Sequence, residues 1–288
     1  MNSVLSLDHV GFVGTDLTKM AAAMRRLGFA PTAPETLLGR EAGTGKIVSL
    51  QQQSCHVVLP NGYLELTAVA TDDPAHHLAA WRSRGSSAHI LALGTDDPAA
   101  LHAQCVAAGL QPTALARATR PIDYGVMRGM AEFDWFMLPA SVFAPVLLCV
   151  VCNRRPELVY QREVMAHPIG VEALEEVAIV VRQPDELYVR QLRWLGDASS
   201  AGANGLFIPL GRGGLTLTTP QAAAQRWGED FDGPCWQAGG LAAVTLRVTD
   251  IAASERYLRS AGVALTRTAE EIRIASRDAA GTLLLLRG

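Results

Sequence analysis

The chain has 288 residues, 49% of them hydrophobic and 18% charged, which supplies a packed core and argues against a disordered chain. That length suits two domains of ordinary size. A formal net charge of −3 implies no basic face for nucleic acid, no apolar run approaches the roughly 18 residues of a membrane helix, and five cysteines without regular spacing suit a reducing cytoplasm.

In chain order, Leu7, Val10 and Phe12 are the apolar positions of a first strand that also holds His9. The opening "MNSVLSLDHV" has no charged segment followed by a long apolar run, so no secretory leader is expected. Thr15 and Asp16 form a helix start, the helical period Leu17, Met20, Ala21, Met24, Leu27 follows, and Gly28 stops it. "ETLLGRE", "SCHVVLP" and "GYLELTAVA" read as strands, the last entered through the tight turn at Asn61 and Gly62. The unit is βαβββ.

The unit recurs. "SAHILALGTDDPAALHAQCVAAGLQ" carries His89, Asp96 and Gly109, with the same seven-residue step from histidine to aspartate as His9 to Asp16. "LEEVAIVVRQPDELYVRQLRWLGDA" puts Glu176 in the histidine's place and ends on Gly196, and "LAAVTLRVTDIAASERYLRSAGVAL" has Ala243, Asp250 and Gly262. Modules therefore start near residues 5, 86, 173 and 240, and the repeat predicts an α+β fold of four βαβββ modules forming two similar half-barrel domains. The expected division is 1–152 and 171–288, with 153–170 as the linker; its Arg154, Glu157 and His167 read either as interface polar pairs or as groups that support site residues from behind.

Four such modules, "LDHV" in the first strand and "YLELTAV" in the last strand of module one resemble the vicinal oxygen chelate superfamily, which includes glyoxalase I, the extradiol dioxygenases and the bleomycin-resistance proteins. "GTGK" at 43–46 and "RPELVY" at 155–160 are most similar to its glyoxalase-like-domain branch. The resemblance implies an open cleft between paired modules, with metal ligands from their first and last strands: His9, Glu65 and His89. Alternation in "YLELT" separately sets Glu65 on the face opposite Leu64 and Leu66. Two imidazoles and a carboxylate suit divalent Fe, Mn, Ni or Zn. The fourth position falls near residue 145 or, with an insertion, on Cys149, and "APVLLCVVC" offers no Glu or Gln. Three ligands plus water or substrate, a contribution from Cys149, and loss of the metal all stay open.

Other residues have quieter readings. His56 is the rival ligand; His76, His77 and His102 read as solvated; Cys149 and Cys152 read as small buried hydrophobes. Modules three and four offer no ligand set beyond Glu176 and read as degenerate. Arg120, Arg128 and Tyr124 are the expected substrate-binding residues, with Arg117 nearby, while Phe133 and Trp135 read as ordinary sheet packing. Arg40 and Lys46 suit the rim of an anionic-substrate site. Two functions follow: a divalent-metal-dependent lyase, isomerase or dioxygenase acting on a small oxygen-bearing substrate, or a binding protein that sequesters a small molecule without chemistry. A small-molecule substrate is the expected partner, nucleic acid and membrane are not, and a homodimer stays open.

Overall fold

The structure is a computed structural model and describes residues 5–40, 46–69, 71–74, 76–139, 146–182, 195, 199–200, 205–232 and 239–288. Module one is β1 (Ser6–Gly14), the helix Leu17–Arg26, β2 (Glu35–Arg40), β3 (Ile47–Leu59) and β4 (Gly62–Val69). Module two is β5 (Ser87–Gly94), the helix Pro98–Ala107, β6 (Ala116–Ile122), β7 (Gly129–Met137) and β8 (Leu147–Asn153). Module three has β9 (Val171–Val180), β10 (Ser199–Ser200), β11 (Leu206–Pro209) and β12 (Gly214–Thr218). Module four has β13 (Gly240–Val248), the helix Ile251–Ser260, β14 (Thr266–Arg267), β15 (Glu271–Ile274) and β16 (Leu283–Arg287). The expected helix of module three and its Gly196 lie outside the described residues, as does most of "GTGK".

Each module closes in the same way: its first and last strands pair parallel, β1 with β4, β5 with β8, β9 with β12 and β13 with β16. Two modules then join through their first strands, β1 antiparallel to β5 and β9 antiparallel to β13. The halves differ in closure. In the first, β2 pairs with β6 through Leu38–Thr119 and Gly39–Ala118, so the two half-barrel modules join into a closed eight-stranded barrel. In the second, the described strands form an open sheet ending at β10 and β14.

The strand period of two divides the first half into an inside and an outside. Leu7, Val10, Phe12 and Leu91 face outward and share one core with Leu174, Val177 and Leu246 of the second sheet. Polar links stitch this contact: the Asn61 side chain donates to Leu174 O and accepts from Leu174 N, each at 2.9 Å. From the connecting segment, His167 accepts from Ala30 N at 3.1 Å and donates to Val58 O at 2.8 Å.

The second half has its inside filled from its own chain. Trp227 and Phe231, on and just after the helix Pro220–Trp227, pack on Ala178, Ala243, Leu283 and Leu285. The register sets these positions level with the lumen residues of the first barrel.

Gly62 is a close approach and not a loop convenience. A Cβ there would overlap the Asp8 carbonyl oxygen. Gly62→Ala must push β4 away from β1 and is expected to cost about 1–3 kcal/mol, the usual range for overpacking. A urea titration checks this, and an unchanged midpoint would contradict the packing described.

Candidate functional site

The barrel encloses a cavity of about 110 Å³, and all eight of its strands contribute to the lining. Its walls are mostly apolar, from Leu37, Ile90, Phe133, Trp135 and Val151, with a polar group at His9, Gln52, His56, Glu65 and Arg120. Phe133 and Trp135 therefore do more than pack the sheet. His77, expected in solvent, also lines the cavity; it stacks on His76 at 4.5 Å, and burial with the His76 charge pulls its pKa down to about 4.

His9 is aimed by a β-bulge. The register of β1 on β5 jumps between Leu7 and His9, leaving Asp8 as the extra residue, and bulges re-aim neighbouring side chains. Asp8 and His9 become adjacent partners: His9 Nδ1 lies 2.7 Å from Asp8 Oδ1. The imidazole stacks on Tyr63 with centroids 4.4 Å apart and planes 12° from parallel. Its Nε2 lies 3.7 Å from Glu65 Oε2. The other Glu65 oxygen is saturated, accepting from Ser54 Oγ at 2.8 Å and from Gln52 and Thr67 at 3.4 Å. Gln52, Ser54 and His56 alternate along β3, which is why all three face inward.

His89 does not join this pair. It is the extra residue of a second bulge, between the pairs Gly11–Ile90 and Phe12–Ala88. Its ring lies against Trp81, and its Nε2 is 3.0 Å from both Gly85 O and Ser87 Oγ, so its polar atoms are used locally. The residue that takes the corresponding place is Ile90. The helix after β5 is capped by Asp97, which accepts from Ala100 N, and not by Asp96. Counting seven back from Asp97 gives Ile90, as counting seven back from Asp16 gives His9. The ladders agree: His9 pairs Tyr63 and Ile90 pairs Leu147, while two rungs on Glu65 and Cys149 face Gly11 and Ala92.

The four corners are thus His9, Glu65, Ile90 and Cys149. This set does not fit a tightly held divalent cation. Ile90 has no donor atom, and burial, aided by the Glu65 and Asp8 charges, pushes the Cys149 thiol well up and keeps it protonated. The rival ligand His56 faces a guanidinium, with Arg120 Nη1 at 2.6 Å from its Nδ1. Among the described residues no group of three or more His, Cys, Asp or Glu side chains is arranged to hold a metal ion.

Arg120 is 3% exposed and lies over the rings of Tyr63 and Phe133 at 5.6 and 5.5 Å. Its carboxylate neighbour is distant: Glu35 Oε2 stands 3.9 Å from Nη1. Burial raises the Glu35 carboxyl, with Arg120 opposing. Arg120 Nε and Nη2 have no partner among the described residues. His56 is held neutral, its pKa lowered well below the usual range by burial, then by Arg120 and His9. The other expected binding residues lie elsewhere. Arg128 pairs with Asp123 at 2.7 Å and binds carbonyls of the β6–β7 turn. The Tyr124 hydroxyl donates to Val159 O at 3.3 Å, and its ring packs in an apolar cluster that backs the cavity residues Tyr63 and Phe133 without lining the cavity itself. Arg117 and Arg154 both bind Asp134.

The profile of the glyoxalase-like domain family matches residues 7–195, more than half of the chain. The chain belongs to the glyoxalase-like domain family. No curated relative matches it. Among solved structures, this glyoxalase-like protein resembles a hypothetical protein from Staphylococcus aureus, with 9% identity, TM-score 0.63 and 99% of each chain covered. It also resembles a mutant 4-hydroxymandelate synthase from Streptomyces coelicolor, with 14% identity, TM-score 0.59, and coverage of 100% of this chain and 94% of the other. A third likeness is to a xylose isomerase-like TIM barrel/4-hydroxyphenylpyruvate dioxygenase fusion protein, with 13% identity, TM-score 0.59, all of this chain and 49% of that one. These likenesses place the fold with the glyoxalase and dioxygenase type. No described helix is long and apolar enough to cross a membrane.

Proposed function

We propose that the first barrel is the functional chamber of this glyoxalase-like protein and binds a small molecule carrying an anionic oxygen group on an apolar, partly aromatic body. One observation carries the reading: Arg120 lines an apolar cavity, and its buried guanidinium has no hydrogen-bond partner for Nε or Nη2 among the described residues. Buried donor groups without hydrogen-bonding partners are costly, and a carboxylate or enolate offers the paired acceptors that guanidinium geometry suits. The surrounding walls supply apolar contact for the rest of the ligand.

The metal-dependent form of the family's chemistry finds only His9 and Glu65 of its corners here, so no step is assigned to a resident metal. Simple sequestration stays as the second reading, favoured by the apolar lining. It leaves the Asp8–His9–Glu65 arrangement without a task.

The test is a binding assay with phenylacetate, its amide and wild-type or Arg120→Met protein. Charged hydrogen bonds contribute about 1.5–3 kcal/mol, so the amide or the substitution is expected to weaken binding about 10- to 150-fold. Equal binding of acid and amide would refute the anion site.

A further inference from the structure

The corner residues that fail as a metal set have a consistent reading as proton-handling groups. We propose that His9, with Asp8 behind it, is a metal-independent proton-transfer centre acting on 2-oxo acids whose apolar body fills the barrel. This rests on the reading that Arg120 holds the ligand's anionic group.

An ionised carboxylate is an acceptor only, so the 2.7 Å contact with Asp8 places a proton on His9 Nδ1. With Nδ1 as the donor to Asp8, Nε2 is the nitrogen left to accept a proton. Opposite it, at 3.7 Å, is Glu65 Oε2, also an acceptor. The distance is too long for a hydrogen bond, and two acceptors have none to make. What suits the space is a group that gives up a proton. Once Nε2 is protonated, the imidazolium stands between two carboxylates, Asp8 and Glu65, which stabilise its charge. The ring cannot turn away easily: Tyr63 stacks on its face and the bulge fixes its backbone.

The step follows from these positions. His9 Nε2 takes a proton from the carbon beside the ligand's ketone. The electron pair of that C–H bond becomes a C=C bond, and the carbonyl π pair moves to oxygen. Arg120 offers its free N–H groups to the carboxylate and to the enolate charge. The imidazolium then returns its proton, to carbon with restoration of the 2-oxo acid or to oxygen with release of the enol. Nothing is oxidised or reduced, and no co-reactant is needed.

The experiment uses EDTA-treated full-length protein and phenylpyruvate in D₂O, following loss of the C3 proton signal by NMR and binding by thermal shift. General acid–base catalysis contributes about 10²–10⁴-fold. Exchange at least about 100-fold above the blank is therefore expected, unchanged by added Zn²⁺ or Mn²⁺. His9→Gln should lose that acceleration and keep the thermal shift. Asp8→Asn should lower exchange and move the His9 proton from Nδ1 in the ¹⁵N spectrum, a change that a purely structural role for Asp8 would not produce. The proposal is overturned if exchange requires added metal, if His9→Gln keeps it, or if ligand-free protein carries the proton on Nε2. A retained thermal shift without exchange overturns proton transfer and leaves the anion-binding reading intact; loss of both overturns both.

Discussion

Ile90→His is expected to turn the first barrel into a one-equivalent zinc site. The substitution puts an imidazole at the ladder position equivalent to His9, beside a pair that already has its Nε2 and a free Glu65 oxygen 3.7 Å apart. Two imidazoles and one carboxylate with an open position form a familiar zinc set, with metal–ligand distances of about 2.0–2.2 Å. The apo variant should be weakened by about 1–3 kcal/mol, because a polar ring replaces a buried aliphatic one without a partner. Zinc should return that stability by mass action, about 2.7 kcal/mol at a hundredfold excess over the dissociation constant. Equilibrium dialysis and thermal melts with and without zinc read both effects. His89→Ala, by contrast, should leave metal uptake unchanged, since that ring is bound to Gly85 and Ser87. If Ile90→His takes up no more zinc than the wild type, the four-corner alignment is wrong.

That prediction turns on a single residue of register, which shows what the sequence could and could not convey. The repeat was legible because the modules with a described helix share their devices: an N-capping aspartate at Asp16, Asp97 and Asp250, and a left-handed glycine after the helix at Gly28, Gly109 and Gly262. The face from which Glu65 points was legible from the alternation in "YLELT". The second corner was misread because "GTDD" offers two consecutive aspartates, and either can cap a helix in sequence. A one-residue slip moves a strand's whole inward set, and the bulge at His89 hides the slip further. Gln52 and Ser54 were available from the same alternation as His56 and went unused. Asp8 stood inside the quoted "LDHV", yet its role depends on a bulge that has no sequence mark. His77 reaches the lumen from a connecting segment whose path is set by tertiary packing. The filling of the second half was also hidden, because Trp227 on a helical period looks like any core residue.

Mild acid is expected to destabilise the protein well before its carboxylates titrate. His56, His89 and His167 are buried, and burial lowers the pKa of each, with the Arg120 charge adding at His56. His77 joins them at about 4. In the unfolded chain each returns to about 6.5. Below that value the unfolded state binds protons that the folded state refuses. Stability is therefore full above about pH 6.5 and falls with pH until the folded values are reached. Each histidine contributes up to about 1.4 kcal/mol per pH unit in that window. Glu35 acts in the opposite sense, its raised carboxyl costing stability when ionised and relieving it as pH falls. One such group does not cancel four. Urea titrations at pH 7.5, 6 and 5 should show a falling midpoint, and His167→Gln should flatten that fall. A midpoint that holds steady between pH 7.5 and 5 would show that these histidines are not held neutral.

Trp227 and Phe231 amount to a ligand that never leaves. They occupy the inside of the second half in every molecule, at a concentration that no dilution changes. Among the described residues the first barrel has no such resident, and on the proposed reading its filling depends on how much of the small molecule surrounds it. A ligand that binds only the folded state adds RT ln(1 + [L]/Kd) to stability, and here that gain falls on one half alone. Since both halves share a single core, the supply of ligand sets how often the whole chain opens. Protease digestion of the native protein would then titrate with ligand, so the lifetime of the protein in a cell becomes a gauge of the molecule it holds.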